Sequence, residues 1–167
     1  MFIEKDSQQG DELMIVTLKD CPENTKCVFI DADIPDSLKN RLMGLGWLPG
    51  KIIEVVRRAP MGDPTIYLVD STKIFLREEE TRMIKVKPLY PAPLSVVGRG
   101  KYKIVKFFGG GPRFMERARE FGIMLGKTIE VISNPLKGRI IIRVDGREYA
   151  IGRGFSEKVF VEEVGTE

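Results

Sequence analysis

The sequence of this chain contains an internal repeat, which constrains the fold more than any other feature. Residues 41–56 read RLMGLGWLPGKIIEVV, and residues 117–132 read RAREFGIMLGKTIEVI, an offset of 76 positions. Seven positions are identical in the two segments: Arg41, Gly46, Gly50, Lys51, Ile53, Glu54 and Val55 in the first, and Arg117, Gly122, Gly126, Lys127, Ile129, Glu130 and Val131 in the second. A duplicated segment in a chain of 167 residues predicts two small domains rather than one.

The spacing of the repeat also predicts where the domains begin and end. We predict an N-terminal tail at residues 1–12, a first domain at 13–87, a linker at 88–93 and a second domain at 94–167. The linker lies in the sequence KPLYPAPL, which has three prolines and no glycine. Such a composition favours an extended connector over a flexible one.

Composition excludes several classes of protein. With 43% hydrophobic and 31% charged residues, the chain has enough apolar surface for a core, so we do not expect disorder. Two cysteines are too few for the disulfide framework of a small secreted domain, which predicts a reducing, cytoplasmic location. No run of apolar residues approaches the ~18 of a membrane span, so we expect no membrane insertion.

Each copy combines one helix with several short strands. Leu38, Leu42 and Leu45 fall on one face of a predicted helix, with Asp36 or Ser37 available as its N-cap. In the second copy the helical face holds Phe114, Ala118 and Phe121. The other apolar runs are short, rich in β-branched residues and separated by turn residues, which is typical of a small barrel or sandwich.

The repeated segment carries the turn chemistry that ends the helix and starts the next strand. A glycine after the helix tolerates the left-handed conformation, and Pro-Gly suits the centre of a type II turn. We therefore predict a structural role in turns for Gly46, Pro49, Gly50, Gly122 and Gly126.

The chain offers little chemistry for catalysis or metal binding. It has no histidine, the commonest general base and metal ligand. Cys21 and Cys27 have five residues between them and lack a second ligand pair, so two reduced thiols fit better than a metal site. We expect no catalytic residue, no cofactor and no metal ligand.

Apolar residues at loop positions and a basic second half supply the candidate contact residues. The loop residues are either anchors beneath each domain or an exposed contact patch. Residues 94–164 hold 14 Lys or Arg and 8 Asp or Glu; their basic side chains fit a solvated strand face, an acidic protein partner, or nucleic acid or lipid headgroups. The candidate set is Trp47, Leu48, Met61, Ile123, Met124, Leu136, Arg139 and Arg143.

The first copy resembles the FeoA family. The match consists of Leu-Gly at 45–46, Pro-Gly at 49–50, the Ile/Val-rich strand at 53–56, the prolines at 60 and 64, and the Ile-x-Leu-Arg strand at 74–77. The second copy departs from the pattern at Leu125 and at Ile151-Gly152. The resemblance implies two tandem SH3-like β-barrels, each with one inserted helix, in a mainly β chain. It also implies a cytoplasmic role in ferrous iron uptake.

The resemblance further implies a partner, the G-protein region of a FeoB-type membrane transporter. The leading hypothesis is therefore a non-enzymatic adaptor that binds this partner. The alternative is a nucleic-acid-binding or metal-responsive regulatory protein on the same barrel, since similar domains occur at the C-terminus of metal-dependent repressors. Higher oligomers and weak binding of iron or another transition metal stay open.

The absence of histidine leads to a first prediction. Titration of the protein with Fe²⁺ or Zn²⁺ in a calorimeter should show no stoichiometric site of submicromolar affinity, because only two cysteines are available as soft ligands. A tight site with one metal ion per chain would contradict this expectation.

Overall fold

The computed structural model describes residues 14–164, which form two compact units. The first unit spans Ile15–Leu89, and the second is built from the residues that follow Leu89. The predicted tail at 1–12 and the last three residues lie outside the described part of the chain.

The first unit contains six strands in one antiparallel sheet. Its elements are β1 (Val16–Thr17), a 3₁₀ turn (Leu18–Asp20), β2 (Lys26–Ala32), α1 (Asp36–Gly44), β3 (Ile52–Arg58), β4 (Thr65–Val69), β5 (Thr72–Leu76), α2 (Glu78–Thr81) and β6 (Ile84–Pro88). The strands are ordered β1-β6-β2-β3-β4-β5, so β5 forms one edge of the sheet.

The second unit repeats this arrangement. Its elements are β7 (Ala92–Pro93), a 3₁₀ turn (Leu94–Val96), β8 (Gly100–Phe107), α3 (Gly111–Phe121), β9 (Thr128–Ser133), β10 (Ile140–Val144), β11 (Arg147–Ile151), α4 (Arg153–Ser156) and β12 (Val159–Glu163). The order β7-β12-β8-β9-β10-β11 matches the first unit strand for strand.

These observations confirm a mainly β chain with short helices. Each unit is a six-stranded sheet, and within residues 14–164 no strand pairing joins β1 to β5 or β7 to β11. Closure into a barrel therefore stays a prediction. No helix in this part of the chain is long and apolar enough to cross a membrane.

Alternation along the strands places one side of each sheet in a core. In β3, Ile53 and Val55 are buried, and in β4 the buried pair is Tyr67 and Val69. The second unit buries the corresponding side chains in β9 and β10. Because side chains alternate across a strand, the residues between these buried positions face outward.

Three local features differ from the sequence-based expectation. Helix α1 has Pro35 as its N-cap with no side-chain hydrogen bond, so neither Asp36 nor Ser37 caps it. The acidic segment after β5, one of those that separate the predicted strands, forms the single helical turn α2. In the proline-rich linker, Pro88 ends β6 and Ala92–Pro93 form β7, since both pair with neighbouring strands.

Both long helices end in the same hydrogen-bonded motif. The Gly46 N–H donates to the Met43 carbonyl at 3.1 Å, and the Trp47 N–H donates to the Leu42 carbonyl at 2.9 Å. Gly46 has φ +100°, the left-handed conformation predicted for it. This pattern is a Schellman motif, in which the residue after the glycine packs against the last turn of the helix.

The second copy closes its helix in the same way. Gly122 has φ +77°, and the Ile123 N–H donates to the Ala118 carbonyl at 2.8 Å. The two motifs therefore direct Trp47 and Ile123 toward their helices.

A tight turn then joins each helix to the sheet. The Gly50 N–H donates to the Phe29 carbonyl at 2.9 Å, and the Phe29 N–H donates to the Lys51 carbonyl at 2.8 Å. In the second unit, Gly126, Ile104 and Lys127 make the corresponding bonds at 2.7 and 2.9 Å. Gly50 and Gly126 have φ of +95° and +86°, as the predicted turn requires.

The two glycines at the end of α1 allow a matched stability test. Gly46→Ala should lower the free energy of unfolding by roughly 1–2 kcal/mol, because alanine is strained at positive φ. A Cβ there would also lie 3.1 Å from Asp70 Oδ2. Gly44 lies inside the helix, and a Cβ added there has no neighbouring atom within 4 Å outside the helix's own backbone. Gly44→Ala should therefore raise the free energy of unfolding by up to about 1 kcal/mol. Equal effects in urea unfolding would contradict this account.

Candidate interaction surface

The structure divides the predicted contact residues into buried and exposed groups. Trp47 and Ile123 are each only 1% exposed, so the interpretation of these two as surface contacts is wrong. Both follow the left-handed glycine of a Schellman motif, and the motif turns their side chains inward. Both residues are therefore loop anchors, which was the alternative that the sequence analysis left open.

Trp47 lies in an aromatic cluster of the first core. Its ring meets Phe29 at a centroid distance of 6.1 Å and Tyr67 at 6.2 Å, both in edge-to-face geometry. Such pairs add to the free energy gained from burying the rings. The tryptophan therefore stabilises the link between helix, strand β2 and strand β4.

The residues next to these anchors point outward instead. Leu48 is 43% exposed and Met124, its equivalent in the second unit, is exposed as well. Leu125 is also exposed, although the sequence did not single it out. Leu125 stands where the first copy has Pro49, so comparing the two turns could have identified it.

Met61 is 91% exposed, more than Leu48 or Met124. The loop that carries it is closed by bonds from the Gly62 N–H to the Ala59 carbonyl at 2.7 Å and from the Ala59 N–H to the Pro64 carbonyl at 3.0 Å. The Glu78 N–H donates to Asp63 Oδ1 at 3.0 Å and fixes the loop to α2. Met61 is thus presented on an ordered loop.

The counterpart of Met61 is more enclosed. Leu136 is partly buried, has φ +68°, and donates its N–H to Asn134 Oδ1 at 3.0 Å. The second unit therefore shows less apolar surface at this loop than the first.

The outer side of the first sheet has apolar residues that the sequence analysis missed. Ile52 and Phe75 are 52% and 60% exposed, and Ile66 and Leu68 are partly exposed. Phe75 lies opposite Ile66, and Lys73 lies opposite Leu68, on neighbouring strands. The sequence did contain an indication of this apolar outer side. Consecutive apolar residues, as in KIIEVV and TIYLV, place apolar groups on both sides of a strand.

The same side of the second sheet is charged instead. Arg143 Nη1 lies 2.9 Å from Glu130 Oε1, and its Nη2 lies 2.6 Å from Glu148 Oε2. Hydrogen bonding, first with Glu148 and then with Glu130, raises the pKa of Arg143. Arg139 donates to the Ala150 carbonyl at 3.1 Å. Both arginines of the predicted contact set thus have partners within their own unit.

A surface depression lies beside the apolar residues of the first sheet. It is lined by Lys26, Gly50, Lys51, Ile52, Glu54, Leu68, Asp70 and Ser71. Lys51 Nζ lies 2.7 Å from Asp70 Oδ2, which joins the helix-to-strand turn to the β4–β5 hairpin. The second unit repeats that pair as Lys127 and Asp145, also at 2.7 Å.

The two cysteines are buried free thiols. A hydrogen bond with Cys27, together with burial, raises the pKa of Cys21 well above its ordinary value. A neutral thiol is a poor metal ligand and a poor nucleophile. Among the described residues, no three His, Cys, Asp or Glu side chains come together in a group that could hold a metal ion.

Comparison with known proteins agrees with the duplicated architecture. The FeoA domain model matches this chain twice, at residues 16–88 and 93–163. The chain belongs to the FeoA family. This family is associated with ferrous iron transport.

Individual relatives support the same assignment. An Fe(2+) transport protein A of Methanocaldococcus jannaschii is 38% identical over 71 residues, which cover 42% of this chain and 85% of the relative. The solution structure of an iron(II) transport protein A from Clostridium thermocellum is 32% identical, with a TM-score of 0.64. That match covers 89% of this chain and 88% of the solved one, so it includes both repeats.

A third solved relative is described as a prokaryotic SH3 domain protein in complex with zinc. This FeoA protein from Stenotrophomonas maltophilia is 28% identical and covers 42% of this chain and 88% of its own length, with a TM-score of 0.38.

The burial of Trp47 beside the exposed Leu48 leads to a stability prediction. Trp47→Ala should lower the free energy of unfolding by about 3–5 kcal/mol, because it leaves a cavity beside Phe29 and Tyr67. Leu48→Ala should change it by less than about 1 kcal/mol. Thermal unfolding of both variants tests this, and a fully stable Trp47→Ala variant would contradict the packing described here.

Proposed function

We propose that this chain is a non-enzymatic cytoplasmic adaptor of ferrous iron uptake, and that its first unit binds the G-protein region of a FeoB-type transporter. The observation that carries the proposal is the exposed apolar surface of the first unit. Leu48, Ile52, Met61 and Phe75 are exposed, although the same unit buries many other apolar side chains. Such exposure is typical of a protein contact surface.

Membership of the FeoA family supports the transport part of the proposal. A role without catalysis fits the absence of histidine from the chain and the neutral, buried state of Cys21. The apolar loop residues lie at both ends of β3, with Leu48 before it and Met61 after it. A partner that contacts both loops would also cover the outer side of β3 between them.

The two units contribute differently under this proposal. The first offers apolar residues on a sheet face, whereas the second has a paired arginine at the equivalent place. Met124 and Leu125 are exposed on the second unit, so they form a smaller apolar contact there. We therefore assign the main contact to Leu48 and Met61 and a secondary one to Met124.

The test uses the whole chain and the purified G-protein region of a FeoB-type transporter. Leu48→Ser with Met61→Ser should weaken binding about tenfold or more, since apolar anchors dominate such interfaces. Met83→Ser is the matched control, because Met83 is 49% exposed but lies in the connection between α2 and β6 and not on either loop.

Binding is measured by calorimetry or surface capture at two salt concentrations. Wild-type affinity in the double variant, with its folding intact, would refute the assigned surface. No binding of the transporter region by the wild-type chain would refute the proposed partner. Retention on DNA or RNA that falls steeply with salt would favour the nucleic-acid alternative instead.

A further inference from the structure

The edge of the first sheet is open along β5. This strand pairs with β4 on one side, and no strand pairs with its other side in the part of the chain that the structure describes. A free strand edge presents backbone donors and acceptors that a further strand can pair with. The question is which backbone groups are free and what kind of segment they would accept.

The turn before β5 determines which groups point outward. Asp70 and Ser71 both have positive φ, at 50° and 69°, and connect Val69 directly to its partner Thr72. In such a two-residue hairpin the closing pair is hydrogen-bonded, and bonded and non-bonded pairs alternate from there. The backbone N–H and C=O groups of Lys73 and Phe75 therefore point away from β4.

The side chains at this edge have a distinct pattern. Lys73, Phe75 and Arg77 are exposed and alternate with the buried Ile74 and Leu76, so all three lie on the outer side of the sheet. Within residues 14–164, neither Lys73 nor Arg77 has an ion pair. Arg77 follows β5 as the N-cap of α2, and its backbone N–H donates to Glu80 Oε1 at 2.8 Å, so the free backbone groups of the edge are those of Lys73 and Phe75. Their strand thus presents a cation and an aromatic ring, followed by a second cation.

The equivalent edge of the second sheet is protected. The residues at the corresponding positions are Glu148 and Ala150 in β11 and Gly152 directly after it. Arg139 donates to the Ala150 carbonyl, and Glu148 pairs with Arg143. Covering an edge with a charged side chain is a known way for proteins to prevent pairing with another strand. The two copies therefore differ at the carbonyl of this position, one of the backbone groups that a new strand would need.

We propose that the free edge of β5 binds an extended segment of a protein partner by adding it to the sheet as a seventh strand. The segment has acidic residues opposite Lys73 and Arg77 and apolar residues between them, where they contact Phe75 and cover the edge of the core. Main-chain hydrogen bonds supply the affinity, and the side chains determine which sequences bind. This inference deepens the proposed function, because the segment would belong to the partner.

The probe is a synthetic peptide with the central sequence Glu-Val-Phe-Val-Glu, compared with its Lys-Val-Phe-Val-Lys counterpart. The acidic peptide should bind the full chain about tenfold or more tightly than the basic one, because two ion pairs are replaced by like-charge pairs. On binding, the amide protons of Lys73 and Phe75 should become protected from hydrogen exchange. Equal affinity for the two peptides, or binding without that protection, would overturn the proposal.

Two variants test the edge itself. Lys73→Pro removes the outward N–H without removing a bond to β4, and should weaken peptide binding about tenfold or more. Glu148→Pro removes the outward N–H at the corresponding position of β11, together with the Glu148–Arg143 ion pair, and should leave peptide binding unchanged. If Lys73→Pro fails to fold, Phe75→Ser should weaken binding and Phe75→Leu should largely preserve it. Wild-type affinity in Lys73→Pro or in Phe75→Ser would overturn the proposal.

The remaining outcomes separate this inference from the proposed function. Protection of Lys73 and Phe75 that rises with protein concentration in the absence of peptide would identify a second copy of this chain as the occupant, and would overturn the proposal. Peptide binding without capture of the transporter region would refute the proposed partner alone. Capture of the transporter region without protection at β5 would refute strand addition alone.

Discussion

Each unit depends on a helix that must stop and reverse within a few residues. A glycine in the left-handed conformation makes this reversal, and the residue after it becomes an anchor in the core. The next turn then donates and accepts hydrogen bonds on strand β2, or on β8 in the second unit. These backbone hydrogen bonds hold helix, turn and sheet together. They require a left-handed conformation at the glycine positions, but no particular side chain at the other positions of the turn.

This dependence explains which parts of the two copies resemble each other. The glycines recur because the chain path needs a positive φ at their positions. The Lys–Asp pairs recur because each joins the helix-to-strand turn to the neighbouring hairpin. The anchor changes from Trp47 to Ile123, and Pro49 is replaced by Leu125, because the turn needs only one left-handed residue and a buried neighbour. On the outer side of the sheets no such requirement exists, so one copy has Leu68 where the other has Arg143.

Much of the fold could be predicted from the sequence, because periodicity and turn residues act over short distances. The glycine caps and the Pro-Gly turn were found where local chemistry predicts them. The direction of Trp47 was not, since it depends on the hydrogen bonds of the Schellman motif. The apolar face around Phe75 and the pairing of Arg143 with Glu130 and Glu148 depend on strand register, which a single sequence does not give.

The capping of Ala150 by Arg139 limits how such chains can assemble. A protein with two open strand edges can join one molecule on each side, and repeated joining produces a fibre. In the described part of this chain, one long edge is free and the other is occupied by its own arginine. Addition of a strand at β5 would therefore not be matched by the same addition at β11, which favours discrete complexes over a fibre grown through these two edges.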